Sequence, residues 1–334
     1  MRLAAAITAA ALVSAVAFLP ASVSAQGSGN YVLRGTDPVI YDLAGTIRVE
    51  PGSGDGVGVA VTLAGADAAK LRVAQGQVRG RDALRIVYPG DRLRYPAMGS
   101  GSTTLRVRND GTFDRNDDDE DRGRRLRIGD SGDEAWADLR VAVPAGHQLT
   151  MHLAVGAVTL TNVDGRIAVE ASAAPITATG SRGELSFETG AGKIDISNFQ
   201  GETVAAETGA GEVSAGGVKA RTLKIETGAG DVRLSDLQTP TIKVETGSGN
   251  VTADLTGGVE SLRIQTGSGN VAITAPPSLG AVVDLETGSG DVDLDFPLTI
   301  VRTGRDHVRG TIGDGHGRIA VSTGSGDVRL RKAS

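Results

Sequence analysis

The sequence of 334 residues contains no cysteine, and only 3% of it is aromatic. The missing thiol excludes disulfides, Cys-ligated zinc, iron–sulfur clusters, thiol catalysis and a lipidated Cys anchor. So few rings exclude a core built around large side chains and argue against stacking platforms for sugars or bases. Positive charge is not in excess either: 34 Lys and Arg stand against 40 Asp and Glu, a net charge of −6. A nucleic-acid partner, which needs a basic face, is therefore not expected. After the first twenty residues no apolar run approaches the ~20 residues of a membrane-spanning helix. What the chain has in abundance is glycine, 48 residues, in a sequence that is 40% hydrophobic and 22% charged. That balance supports a folded chain with a real core.

The first 25 residues read as an export signal. Met1-Arg2 gives a positive start, Leu3 to Leu19 an apolar stretch, and Ala21-Ser22-Val23-Ser24-Ala25 the small residues that a signal peptidase reads. Cleavage is expected near Ala25/Gln26. The mature chain then carries no transmembrane segment and works in the periplasm, at the outer surface or outside the cell.

Internal repetition decides the fold. Glu188-Thr189-Gly190-Ala191-Gly192-Lys193-Ile194 recurs from Glu207, Glu226, Glu245, Gln265, Glu286 and Ser322, at spacings of 19, 19, 19, 20, 21 and 36 residues. Degenerate copies lie at Glu170 to Ile176 and around Ala154 to Val158. Within a repeat the apolar residues alternate: Leu223, Ile225 and Thr227 face one side, Lys224 and Glu226 the other, and after the glycine corner Val232 and Leu234 return to the first side. One repeat is two short strands with a corner between them. It cannot bury its own apolar face, but stacked copies can. The expected architecture is all-β: a β-solenoid, similar to a single-stranded β-helix, of ~19-residue coils in parallel register, with a divergent β-rich N-terminal portion. The corner glycines Gly190, Gly209, Gly228, Gly247, Gly267, Gly288 and Gly324 serve tight turning, and the inward threonines form a ladder whose hydroxyls satisfy corner backbone.

Three regions follow: the signal peptide at 1–25, a β-rich region or solenoid cap at 26–145, and the repeat domain at 146–334 with an insertion near 295–320. The insertion reads as a hairpin or loop that caps the open end, followed by a final coil. Within the N-terminal region Ile47 to Asp55 echoes the repeat, Ala66 to Lys70 suggests one helical turn, and Asp117 to Asp121 reads as an exposed acidic loop.

Chemistry-bearing candidates are few. The glycine corners are each followed by a strand rather than a helix, so they are not phosphate loops. Gly129-Asp130-Ser131-Gly132 matches a serine-nucleophile signature over four residues, but no histidine precedes Ser131, and a polar loop explains it better. The four histidines, His147, His152, His307 and His316, form no metal-ligand pattern and suit surface or cap positions. No cofactor is expected. Calcium is the alternative, because the rhythm of Gly, acidic residue and aliphatic resembles that of calcium-binding β-rolls; Lys193 in the acidic slot argues against it. Asp291, Asp293 and Asp295 would be the carboxylates of the alternative, a carbohydrate-active β-helix enzyme of the pectin-degrading kind, yet short coil loops leave no cleft wall. The chain is expected not to be an enzyme. The regular exposed feature is the glutamate column Glu188, Glu207, Glu226, Glu245 and Glu286. It is a solvated face offset by Lys224, Lys243 and Arg263, or else a weak candidate binding face.

The Glu-Thr-Gly-Ser-Gly-Asp-Val repeats, the closing Gly317-Arg318-Ile319-Ala320-Val321-Ser322-Thr323-Gly324-Ser325-Gly326-Asp327-Val328 and the export signal resemble the bacterial "putative adhesin" β-strand-repeat proteins, a domain-of-unknown-function family of the cell envelope. The resemblance covers roughly 146–330, with Ile40-Tyr41-Asp42-Leu43-Ala44-Gly45 fitting the same kind of protein. It implies a β-solenoid, export, and an adhesive or scaffolding role toward an envelope protein or glycan. It carries over no catalytic residues and leaves the oligomeric state open.

Overall fold

A computed structural model of the chain describes residues 28–113 and 123–333. The expected signal peptide and acidic loop lie outside the described residues. The architecture is all-β, with short 3-10 turns at Ala68–Lys70 and Pro96–Met98. The first falls where the sequence suggests one helical turn.

Two parallel ladders run the length of the molecule, one on each side of a glycine corner. The strands Asp164–Ala173, Arg182–Ala191, Gln200–Ala210, Lys219–Ala229, Thr241–Ser248 and Ser261–Ser268 pair in that order, with Glu188, Glu207, Glu226, Glu245 and Gln265 directly opposite one another. The strands after the corner stack in the same way, from Ile176–Thr179 to Val271–Ala275. Register is held because a slip of one residue would turn every aliphatic outward. Leu223, Ile225, Val232, Leu234 and their equivalents are buried in one continuous core.

The inward threonines are buried, and each Oγ1 donates to a main-chain carbonyl at the corner of the neighbouring coil: Thr189 to Ala174, Thr208 to Gly192, Thr227 to Gly211, Thr246 to Gly230, Thr266 to Gly249 and Thr323 to Gly269, at 3.0–3.5 Å. Each bond stabilises by about 1 kcal/mol, and each also relieves a buried carbonyl. At the second corner glycine the backbones approach closely. Gly230 sits at φ +149°, and a Cβ there would lie 2.1 Å from the Gly211 carbonyl oxygen.

The ladder extends into the N-terminal part. The strands Val39–Gly52 and His147–Thr161 run unbroken through the corner and pair in parallel, with Gly45 opposite Gly156 and Ile47 opposite Val158. The echo of the repeat at Ile47 is thus the strand after the corner, not the glutamate-bearing strand; Tyr41, opposite His152, occupies the glutamate position. Periodicity shows alternation but not which half of a coil an isolated segment fills. Antiparallel strands Val57–Ala64 and Gly29–Leu33 pack outside Trp136–Pro144 and close this end.

At the other end, spatial order departs from chain order. The final coil, 317–332, lies between coil 261–275 and coil 281–294, pairing with both. A hairpin of Thr299–Thr303 and His307–Ile312 covers the outer edge of Ala281–Thr287. The sequence leads one to expect the insertion as the cap and the last coil stacked in succession. The hairpin does cap, but the last coil is intercalated. Identical repeat signatures give no preference between neighbours, so the sequence cannot reveal that order.

Candidate functional site

On the long face each rung from Glu188 to Ser322 presents three outward positions: a basic or small residue, a glutamate or its substitute, and a glycine. The glycine column has no side chains, so it forms the floor of a trench beside the glutamates. The groove is open, about 680 Å³, and lined by Glu207, Glu226, Glu245, Gln265, Ser322 and the intervening threonines and glycines. Glycine is required here by the fold: a Cβ at Gly228 would lie 2.5 Å from the Gly209 carbonyl oxygen, and one at Gly247 2.5 Å from that of Gly228. The trench is thus a by-product of close backbone packing, and it repeats at every rung.

Four of the five singled-out glutamates, Glu188, Glu207, Glu226 and Glu245, stand on successive rungs. Glu286 is set apart behind Gln265 and Ser322, and its Oε1 accepts from the Ser322 hydroxyl at 3.1 Å. The corner glycines form the column 190, 209, 228, 247, 267, 324, 288 in space. Lys224 lies 2.9 Å from Glu226, and Lys243 lies 3.0 Å from Glu245 and 3.6 Å from Glu226. The hydrogen bond from Lys224 is the main reason the Glu226 carboxyl is held below its ordinary range. Arg263 donates to Gln265. Ala205 takes the corresponding place before Glu207, which is exposed. The basic side chains of the groove therefore stand beside Glu226, Glu245 and Gln265 rather than beside Glu207.

The acidic slot after the second glycine has a structural task that the sequence does not announce. Asp231 Oδ1 accepts the Asn250 backbone N–H at 3.0 Å, Asn250 Oδ1 that of Asn270 at 3.0 Å, Asn270 Oδ1 that of Asp327 at 2.8 Å, and Asp327 Oδ1 that of Asp291 at 3.1 Å. The slot needs an acceptor rather than a charge, and this explains the mixture of Asp and Asn. Lys193 and Glu212, where the ladder has not begun, pair with each other at 3.2 Å. Among the described residues no group of three or more His, Asp or Glu side chains converges as a metal site.

The other sequence candidates are dispersed. Asp291 pairs with Arg305 and Asp293 with Arg331, so the three carboxylates at 291, 293 and 295 do not converge on one centre. Ser131 is exposed in the bend between strands Arg124–Gly129 and Asp133–Glu134. His307 pairs with Asp306, and His316 with Asp314. Of the surface or cap positions expected for the histidines, His152 does not take the surface one. It is buried, stacked on Tyr41 with ring centroids 4.4 Å apart, edge-on to Phe113, and 3.3 Å from Glu170. The aromatic stack closes the glutamate column at its N-terminal end.

Beneath it lies a feature that sequence reasoning missed. Asp42 is fully buried; its Oδ1 accepts from the Tyr88 hydroxyl at 2.8 Å, while Oδ2 has no partner. Burial pushes the Asp42 carboxyl up to about 8, and Tyr88 only partly offsets this. An aspartate inside the apolar run Val39 to Ala44 is the available signal, and its place opposite Leu153 puts it on the core side.

Together the ladders, the threonine spine and the grooved polar face define a parallel β-solenoid with a repetitive charged surface. The model of one family, Toastrack DUF4097, matches residues 92–331, and this chain belongs to that family. The resemblance drawn from the repeats, to β-strand-repeat domains of unknown function, is borne out, and the match begins well before residue 146. Among curated proteins none matches the chain. Two solved structures are similar: a "putative cell adhesion protein" of Clostridium sporogenes at 11% identity and a TM-score of 0.22, covering 92% of this chain and 100% of that one, and a "putative adhesin" of Bacteroides fragilis at 12% identity and a TM-score of 0.44, covering 92% and 98%. With TM-scores below 0.5, neither neighbour decides anything about the function of this chain. No helix among the described residues is long and apolar enough to cross a membrane.

Proposed function

We propose that this chain is an exported, non-enzymatic β-solenoid that binds at the cell envelope, laying its grooved face along an extended protein or glycan strand. The observation that carries this reading is the groove: polar, open to solvent along its length, and repeated on the rungs from Glu207 to Ser322, with carboxylates on one wall and bare backbone as the floor. An elongated trench of one chemistry suits a polymer with regularly spaced donors or positive charges, which contacts many rungs weakly and gains affinity by their number. The signal-like residues 1–25 support export. The paired and scattered Asp291 and Asp293 support a binding role over catalysis, since glycoside hydrolysis needs two carboxylates at a defined separation.

Co-sedimentation of the labelled mature chain with isolated cell envelopes tests this. Envelopes treated with protease or with glycan-cleaving enzyme distinguish the two polymer classes. The triple variant Glu207→Gln/Glu226→Gln/Glu245→Gln is expected to bind at least tenfold more weakly, while Thr177→Ala/Thr252→Ala on the other ladder leaves binding unchanged. Equal binding by the triple variant would overturn the groove as the binding face.

A further inference from the structure

The intercalated final coil has an unusual energetic position. Its residues Ile319, Val321, Val328 and Leu330 are buried, and it is paired on both sides. Removing an internal coil from a stack of repeats ordinarily uncovers two interfaces. Here the coil beyond it, 281–294, carries the same Glu-Thr-Gly-Ser-Gly-Asp-Val signature and already pairs in that register. If coil 317–332 leaves, coil 281–294 can move down one rung, about 4.8 Å, onto coil 261–275. Thr287 then meets the Gly269 carbonyl that now accepts from Thr323, and the Asp291 N–H meets the Asn270 side chain that now serves Asp327. Arg263 comes beside Asp284, with Ala320 no longer between them. One of the two lost interfaces is re-formed, so departure uncovers no more core than peeling off an end coil.

The released coil is tethered by 313–316, Gly-Asp-Gly-His, with Gly313 at φ +54° and Gly315 at φ +69°. This short turn carries the chain from the strand His307–Ile312 on one edge of Ala281–Thr287 to the strand Gly317–Thr323 on the other edge. A glycine-hinged segment that crosses over a neighbouring strand can redirect its strand without breaking the hairpin. The freed strands recover all their pairings only in a slot of the same register, and the slot of another copy is one.

We propose that coil 317–332 is an exchangeable element that inserts reciprocally into the slot of a second copy of this chain, forming a two-fold dimer. The occupant is a second copy because the slot fits this coil on both faces, through the acceptor ladder at Asn270, Asp327 and Asp291 and the hydroxyl bonds of Thr323 and Thr287. Reciprocal exchange re-forms the inter-coil bonds of the monomer and is driven by concentration.

A chain without cysteine makes the test direct. Gln265 and Glu286 each stand opposite Ser322 on neighbouring strands. The double variant Gln265→Cys/Ser322→Cys is expected to cross-link within one chain, which verifies the intercalated position. Single variants Gln265→Cys and Ser322→Cys, mixed at high concentration, warmed below the unfolding transition and treated with a short thiol cross-linker, are expected to give a covalent heterodimer. Its yield should exceed that of a Glu226→Cys and Ser322→Cys mixture at least fivefold, since Glu226 stands three rungs from Ser322. Yield no greater than in this control, or failure of the internal cross-link, overturns the proposal.

Discussion

At the scale of single residues, the feature with the largest electrostatic consequence is Asp42. A carboxyl with no access to water, one oxygen that accepts from the Tyr88 hydroxyl and the Ala44 N–H, and one bare oxygen is held protonated in the folded chain up to about pH 8. In the unfolded chain it ionises near pH 4. Between these values the native state holds a proton that the unfolded state has released, so stability falls as pH rises from about 4 to about 8 and levels off above. Each unit of separation corresponds to about 1.4 kcal/mol. Asp42→Asn, which cannot ionise, is expected to flatten this slope: thermal unfolding of the variant should lose much less Tm between pH 5 and pH 8 than that of the parent. Equal slopes would show that Asp42 is ionised in the native state. The apolar run around Asp42 points to burial, but its partner, Tyr88, is 46 residues away, just past the strand Arg81–Val87. No spacing rule links the two.

At the scale of the coil, the corner does most to specify the structure. Two glycines close it for different reasons. Gly228 has ordinary backbone angles and is excluded from bearing a side chain by the carbonyl of the coil below, whereas Gly230 has both that contact and a left-handed φ. Gly230→Ala is therefore expected to destabilise by about 3 kcal/mol or more, as strain and a backbone clash combine. Gly258→Ala, in open space, should stay within about 0.5 kcal/mol. Urea titration of the two variants measures the contrast, and similar losses would show that the corner relaxes freely. The corner was largely legible in the sequence. The spacing of Thr227, Gly228, Gly230 and Val232 announces an inward hydroxyl, a tight turn and a return to the core. The role of Asp231 was not legible, because an Asp beside glycines suits a cation as well as a main-chain N–H. Only the neighbouring coil, bringing the Asn250 N–H within 3.0 Å, decides between the two.

At the scale of the whole molecule the solenoid is a one-dimensional stack, and its stability is close to a sum over coils and their contacts. Translational equivalence holds from Glu188 to Gln265, where every rung repeats the same register. It fails at both ends, where Tyr41 and His152 replace glutamates and where the final coil is intercalated. The repeat period therefore revealed the body of the rod, while the ends, made by long-range pairing among unlike strands, stayed hidden. Equivalence has a direct consequence for deletions. Removing residues 227–245 joins Glu226 to Thr246, and because Glu226 and Glu245 are register partners the new chain continues in phase. The shortened protein is expected to fold, to keep its β-sheet circular dichroism, and to lose one rung of about 4.8 Å in length by small-angle scattering. Its Tm should fall by a few degrees at most, as the two contacts of the removed coil are replaced by one. Removing residues 227–236 instead joins Glu226 to Leu237, places a half-coil against the glutamate ladder and turns aliphatics outward. That chain should fail to unfold cooperatively. If both deletions behave alike, stability resides in the end caps rather than in the repeating contacts, and the rod is a passive spacer between them.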